Sequence, residues 1–176
     1  RSDVVLSSRY TAESYLNEAL KQLRKEDHLN DVAPVLQAIS AHLNHHGGIM
    51  AEHQLLASLS ENRYHSHISL LLDISPLFQR LAETTHLHQR WTVGKEHAVS
   101  SETILTSVVN ELEEGKRTVS SDELHAIIAR AAKEIHGEAP QEHVIQSLLA
   151  SSKVICKNPY GEFGLIWWPS INPSGV

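Results

Sequence analysis

The chain has 176 residues, of which 41% are hydrophobic and 20% are charged, and its formal net charge is -6. This composition is typical of a soluble globular protein and suits one large domain or two small ones. It excludes a membrane-spanning segment, since no apolar run approaches the roughly 20 residues that such a helix needs. The negative charge argues against broad electrostatic attraction to nucleic acid or to an anionic membrane.

The ends of the chain and its cysteine content indicate what kind of protein it comes from. The chain begins at Arg1, without an initiator methionine or a signal peptide, and stops at "NPSGV" without a closing element. We therefore expect a fragment of a longer protein. Cys156 is the only cysteine, so no intrachain disulfide can form, which is typical of a cytoplasmic protein.

The first two predicted helices are separated by a charged connector. Leucines at helical spacing predict a helix over about residues 12–24. Asp31 is a good N-cap for the second helix, which should end where Gly47 can adopt the left-handed cap conformation. The apolar face of this second helix carries Val32, Leu36, Ile39 and Leu43.

Two short helices and a hairpin complete the first predicted module. A minimal strand at Ile49–Met50 precedes helices over about 52–59 and 64–73, and Pro76 excludes further helix. The segments "LFQRLAE" and "LHQRWTV" flank the turn "TTH", which predicts a β-hairpin that ends at Trp91.

The same order of elements then starts again. Ser100 or Ser101 should cap a helix that ends near Gly115, and a minimal strand over 117–119 follows. Ser120 and Glu123 have the spacing of a capping box, Pro140 suits the first turn of the next helix, and "KVICKNP" and "LIWWP" flank "YGEFG" as a second hairpin. The apolar positions of these helices are Ile104, Val108, Leu112, Leu124, Ile127, Ile128, Ala131, Ile135, Val144, Ile145, Leu148 and Leu149.

Helix, short strand, helix, helix and hairpin is the order of elements in a winged helix, and it occurs twice. We therefore predict a mainly α protein with small β-hairpins (α+β), made of tandem winged-helix modules preceded by an N-terminal helix. The predicted boundaries are 1–30 for the N-terminal helix and connector, 31–97 for module 1, 98–171 for module 2, and 172–176 for a tail or the start of a missing further module.

Two adjacent tryptophans, Trp167 and Trp168, lie on the last predicted strand. Successive side chains of a strand point to opposite faces, so one of the two can seal the core and the other cannot. We predict that Trp168 is buried. Trp167 then either packs on the N-terminal helix or the other module, or serves as a partner-binding anchor, a role in which tryptophan is enriched.

The segment "NPYGEFGLIWWPSINP" resembles a segment of bacterial sigma-factor-like proteins, and "HQRWTV" resembles the corresponding strand of the preceding module in that family. The resemblance covers about residues 30–173. In that family, winged-helix modules follow a helix-turn-helix like sigma region 4, and a HARE-type helix-turn-helix module often comes after them. The resemblance implies a role in bacterial transcription, with DNA or RNA polymerase as the partner. Neither of the flanking modules is included in this chain, which puts promoter reading by this piece in doubt.

The candidate DNA contacts lie on the third helix and the wing of each predicted module, since the third helix of this fold usually enters the major groove. They are Asn62, Arg63, His65, Ser66, His67, Arg80, Arg90, Lys153 and Lys157. Residues 1–96 carry 9 basic and 11 acidic residues (net -2) and the remainder carries 6 and 10 (net -4). We therefore expect Arg63 and Arg90, both exposed, to dominate. The alternative function is a protein–protein adaptor that docks on RNA polymerase or another partner without touching DNA.

Enzymatic chemistry is not predicted. The chain has no phosphate loop, nucleophile elbow or dinucleotide fingerprint, and Cys156 on its apolar strand reads as a buried structural thiol. His86 and His88 would share a strand face, but no carboxylate or cysteine completes a ligand set. We therefore expect no catalytic residue, metal, cofactor, small-molecule substrate or membrane partner. The 13 histidines would make the chain more positive as the pH falls.

Overall fold

The computed structural model describes residues 32–59 and 65–172. Within these ranges the chain forms six helices and five short strands in small antiparallel sheets, so the predicted mainly helical α+β class is confirmed. The helix predicted over about 12–24, the connector up to residue 30 and the tail after residue 172 lie outside the described residues.

The first half of the described chain, residues 32–93, ends in a three-stranded sheet. Its elements are α1 (Val32–His45), β1 (Ile49–Ala51), α2 (Glu52–Ser58), α3 (His65–Ile74), β2 (Gln79–Leu81) and β3 (Arg90–Thr92). The strand order is β1-β3-β2, and Trp91 in the central strand pairs with Met50 on one side and Arg80 on the other.

The second half, residues 94–172, places the corresponding elements in the same order. They are α4 (Lys95–Gly115), α5 (Ser121–His136), α6 (Glu142–Ser151), β4 (Ile155–Lys157) and β5 (Phe163–Leu165). The strand predicted over 117–119 is reduced to one bridge between Val119 and Phe163, on the side of β5 that faces away from β4. Val119 itself is buried in the second core.

Each half has its own apolar core, built from the faces that helical spacing predicts. The first core contains Val35, Ile39, Leu43, Met50, Leu55, Ile68, Leu71, Leu72, Phe78 and Trp91. The second contains Leu87, Ile104, Leu105, Val108, Leu112, Val119, Leu124, Ile127, Ile128, Ala131, Ala132, Ile145, Leu148, Val154, Ile155 and Leu165. Ile135 is the apolar helix position that departs from this pattern, since it is 40% exposed.

Local sequence signals set the start of α5, whereas packing sets the start of α4. Ser120 is the N-cap of α5, and its hydroxyl accepts a hydrogen bond from the Glu123 backbone N–H at 3.2 Å, as predicted. The cap predicted at Ser100 or Ser101 is wrong, because α4 begins at Lys95. The two extra turns bury Ala98 and Ser101, and Ser101 donates to the Ala98 carbonyl at 3.0 Å.

The two halves are joined by backbone hydrogen bonds as well as by side chains. The predicted first hairpin is shorter than expected, and its loop over 82–89 instead reaches the second half. His88 N–H donates to the Ser151 carbonyl at 2.9 Å, and Lys153 N–H donates to the His86 carbonyl at 2.8 Å. Leu87 from this loop lies in the second core. The two halves therefore pack against each other and are not separate domains joined by a linker.

A close approach between the halves occurs at the turn between α1 and β1. Gly47 and Gly48 have φ values of 91° and 85°, a backbone conformation that favours glycine. A Cβ atom at Gly48 would lie within 2.6 Å of three ring atoms of His97 in α4, and one at Gly47 would lie 3.1 Å from Val144 in α6. Glycine at both positions lets the second half pack directly on this turn.

We expect Gly48→Ala to lower the free energy of unfolding by about 2–4 kcal/mol, since it adds backbone strain and a clash with His97. Gly115→Ala is the matched control, because that position is helical and no atom lies within 4 Å of its added Cβ. The control should change stability by less than about 1 kcal/mol. Urea titrations of both variants measure the difference, and equal effects would contradict the close approach.

Candidate nucleic-acid and partner interface

The third helix of the first half, α3, carries only part of the predicted recognition surface. His65, Ser66 and His67 form its first turn, and their side chains are outside the description, as are Asn62 and Arg63 entirely. Further along α3, Ile68, Leu71 and Leu72 are buried in the first core. Anchoring by these three residues fixes which side of α3 remains on the surface.

Arg80 and Arg90 lie in neighbouring strands but in opposite environments. Arg80 is exposed on the edge strand β2. The expectation that Arg90 is exposed is wrong: it is 2% exposed. Its Nη1 lies 3.2 Å from a carboxylate oxygen of Glu102, and its Nε donates to the His88 carbonyl at 3.0 Å. Trp91 points into the first core, but α4 covers the other face of β3, where Arg90 lies.

The two lysines of the predicted second wing also differ. Lys153 Nζ lies 3.1 Å from a Glu83 carboxylate oxygen and donates to the Thr84 carbonyl at 3.2 Å. Both partners belong to the loop of the first hairpin, so Lys153 links the halves. Lys157 is exposed, with its Nζ 6.0 Å from the centre of the Phe163 ring. Within the described ranges, Arg80 and Lys157 are thus the wing cations that remain on the surface without an ion pair.

The third helix of the second half, α6, is packed on both sides. Ile145 and Leu148 point into the second core. Along another stripe, Ser147 and Ser151 are buried, and the Ser151 carbonyl accepts a hydrogen bond from the first half. His143 Nε2 donates to the His45 carbonyl at 2.8 Å. These contacts hold α6 against the end of α1 and against β1.

The two adjacent tryptophans follow the last strand instead of belonging to it. Strand β5 ends at Leu165, and the chain then turns, with Trp168 N–H donating to the Leu165 carbonyl at 2.9 Å. The predicted strand through both residues is therefore wrong. Trp168 packs against the second core but is only partly buried, and Trp167, at 49% exposed, is the more exposed of the two, as predicted. A Cβ atom at Gly164 would lie 2.8 Å from the Trp168 ring, so glycine is needed for that ring to cover β5.

Trp167 has contacts within its own chain. Its Nε1 donates to a Glu113 carboxylate oxygen at 2.6 Å, and its ring centre lies 6.2 Å from that of His86. It therefore lies beside α4 and the first-half loop, in line with the alternative that it packs on the other module. The ring packs on the other half, yet about half of its surface stays available to a partner.

The tip of the second hairpin presents an aromatic residue that the sequence reading passed over. Tyr160 is 88% exposed. The turn beneath it is rigid, because the buried Asn158 side chain accepts hydrogen bonds from the N–H groups of Tyr160 and Glu162, both at 2.9 Å. Gly161 has a φ of 82° and completes the turn. The motif "NPYG" was the available signal, since Asn, Pro and Gly are turn residues.

Other chemistry is sparse in the part of the chain that the structure describes. It contains no group of three or more His, Cys, Asp or Glu side chains placed to hold a metal ion, and none of its helices has the length and apolarity to cross a membrane. Burial raises the pKa of the Cys156 thiol, which makes it a poor nucleophile at neutral pH.

Comparison with known proteins adds no relative to these observations. No protein-family model matches the chain, and searches of curated proteins and of solved structures likewise gave no significant match. What the chain does is therefore inferred from its own geometry and motifs.

We expect Arg90→Ala to lower the free energy of unfolding by about 2 kcal/mol, because it removes charge-assisted hydrogen bonds and the packing of a buried side chain. Arg80→Ala, one strand away and exposed, should stay within about 0.5 kcal/mol of the parent. Thermal and urea denaturation report both values. If Arg90→Ala left the free energy of unfolding unchanged, the buried guanidinium would contribute nothing to the stability of the junction.

We expect Trp168→Ala to cost about 3 kcal/mol, at the low end for large aromatic truncations, since Trp168 is partly buried. Trp167→Ala removes an exposed ring and one hydrogen bond and should cost about 1 kcal/mol or less. Denaturant titration of the pair distinguishes the two positions. Equal losses would contradict the packing of Trp168 on Gly164.

Proposed function

We propose that this chain is a tandem winged-helix unit of a non-enzymatic, cytoplasmic bacterial transcription protein related to sigma factors. In this function the unit positions a neighbouring DNA-binding module, and its own DNA contacts come from the first half. The order of elements supports the proposal, as does the first sheet's strand order β1-β3-β2. In the second half Val119, β5 and β4 follow the same order. The motifs "NPYGEFGLIWWPSINP" and "HQRWTV" supply the link to transcription.

The observation that carries the positioning role is the packing of α6. This helix occupies the place of a recognition helix in its own half, but its surface stripe is used against the first half. A helix committed in this way supports a rigid geometry between modules and not the reading of bases. The charge agrees, since the helix segment 140–152 contains no lysine or arginine.

The first half retains the better surface for DNA. Arg80 is exposed on β2, and Arg63 and Asn62 precede α3 in the sequence. Arginine and asparagine are common contacts to phosphates and base edges. The number of available cations is small, so we expect weak binding in which phosphate contacts dominate.

The second candidate function is a protein–protein adaptor on RNA polymerase or another partner. Two observations favour it: Trp167 and Tyr160 are both exposed aromatics, and the chain has a net charge of -6. Aromatic residues are enriched at protein interfaces, whereas a negative surface disfavours DNA. The same rigid junction between the halves would serve this function equally well.

Fluorescence anisotropy with duplex DNA over a salt series tests the two functions. Binding by the first half predicts that the variant Arg63→Ala/Arg80→Ala lowers the salt slope by roughly 2, about 0.9 for each lost phosphate contact. The matched control is Lys133→Ala/Lys157→Ala, which removes two exposed cations from the second half and should leave the slope unchanged.

If the control pair lowered the salt slope more than Arg63→Ala/Arg80→Ala, the DNA contacts would lie in the second half, which would contradict the proposal. Absence of binding by the parent chain at low salt, about 50 mM, would favour the adaptor function for this unit.

A further inference from the structure

Four imidazole rings meet where the end of α1 contacts the start of α6. His45 and His143 come from opposite halves and are stacked, with ring centres 4.1 Å apart and planes inclined by 12°. His46 lies 5.3 Å from each of them, and His42 lies 4.5 Å from His46. We call these four residues the histidine cluster. It is the side-chain contact that accompanies the packing of α6 on the first half.

The hydrogen bonds of the cluster show where an added proton would go. His143 Nε2 donates to the His45 carbonyl at 2.8 Å, and His46 Nδ1 donates to the His42 carbonyl at 2.9 Å, because a carbonyl oxygen can only accept. Each of these rings therefore already carries one N–H, and its other nitrogen takes a second proton. Protonation keeps these bonds but turns the stacked rings into like charges about 4 Å apart.

We propose that the histidine cluster is a pH-sensitive contact between the two halves, which holds α6 on α1 when the rings are neutral and loosens as they become charged. Imidazole is the side chain whose charge changes between neutral and mildly acidic pH. This regulation does not depend on which partner the unit binds, since it concerns only the junction inside the chain.

The surroundings of the cluster add three histidines and three carboxylates, so the excess of imidazoles comes from the four cluster members themselves. A cleft of about 420 Å³ next to it is lined by His46, His97, His136 and Glu138 among others. Glu96 lies 3.5 Å from His97, and Glu142 at the start of α6 is paired with His125 at 2.7 Å. From α2, the group that meets the cluster is the Ser58 hydroxyl, 2.9 Å from His42 Nε2. In acid the imidazoles of the junction therefore outnumber the carboxylates that face them.

The sign of the effect follows from His42 and from a second pair at the same junction. Burial, then the neighbouring His46 and His45, lower the pKa of His42. Burial, then His53 and Lys153, lower the pKa of His88, although Glu83 opposes this. A lowered pKa in the folded state means that stability is fully present above about pH 6.5 and is lost as the pH falls below it.

Hydrogen exchange measured by NMR at pH 7.5 and 5.5, corrected for intrinsic rates, tests the proposal. The reporters are the N–H groups of His88 and Lys153, which bond across the halves, and the references are those of Val119 and Phe163, which bond to each other within the second half. We expect the protection of the reporters to fall by about tenfold more than that of the references, since a like-charge pair this exposed is partly screened.

The variant His45→Gln/His143→Gln cannot be charged at these positions, while glutamine at 143 keeps a donor. We expect it to lose the part of the pH effect that the stacked pair contributes and to keep the part due to His42 and His88. His86→Gln, which removes an exposed imidazole beside Trp167, should retain the full effect. Equal changes in reporters and references of the parent chain would overturn the proposal, and they can be measured even if the double variant does not fold. A full pH effect in a folded double variant would overturn it as well.

Discussion

The packing of α6 on the turn between α1 and β1 is the contact on which the arrangement of the two halves depends. That contact exists because Gly47 and Gly48 leave room for Val144 and His97, which come from two different helices of the second half. Any side chain at Gly48 would meet a ring at a distance that no real Cβ atom tolerates. Apolar surface, backbone hydrogen bonds and stacked imidazoles then join at one junction.

The junction also uses charges that would otherwise be available to a nucleic acid. Arg90 is buried against Glu102, and Lys153 reaches Glu83 and a backbone carbonyl of the other half. The chain has a net charge of -6, so each arginine or lysine that is paired within the chain further reduces the electrostatic attraction to phosphate. For this reason we propose a positioning or adaptor role for the second half and direct DNA contact for the first half alone.

Several residues of the motif that carries the family resemblance have a structural role in the second hairpin and the turn after it. Asn158 closes the turn through two backbone N–H groups, Gly161 adopts a positive φ, and Gly164 leaves space for Trp168 and Ile171. The motif therefore indicates a hairpin with a packed C-terminal turn. It says little by itself about which surface meets a partner, and the exposed residues that could do so, Tyr160 and Trp167, are at its less specific positions.

Local sequence signals determined the elements and their order. Helical spacing predicted both cores, Ser120 and Glu123 predicted the start of α5, and the turn residues after Lys157 predicted the second hairpin, because each signal acts within a few residues.

The tertiary structure alone decided the start of α4, the end of β5 and the burial of Arg90. Each depends on a surface contributed by residues distant in the chain: α4 lengthens to cover the first sheet, the chain turns after Leu165 to lay Trp168 on Gly164, and Arg90 lies under α4. The histidine cluster belongs to the same class, since the composition showed many imidazoles but only the packing of the two halves stacks His45 on His143.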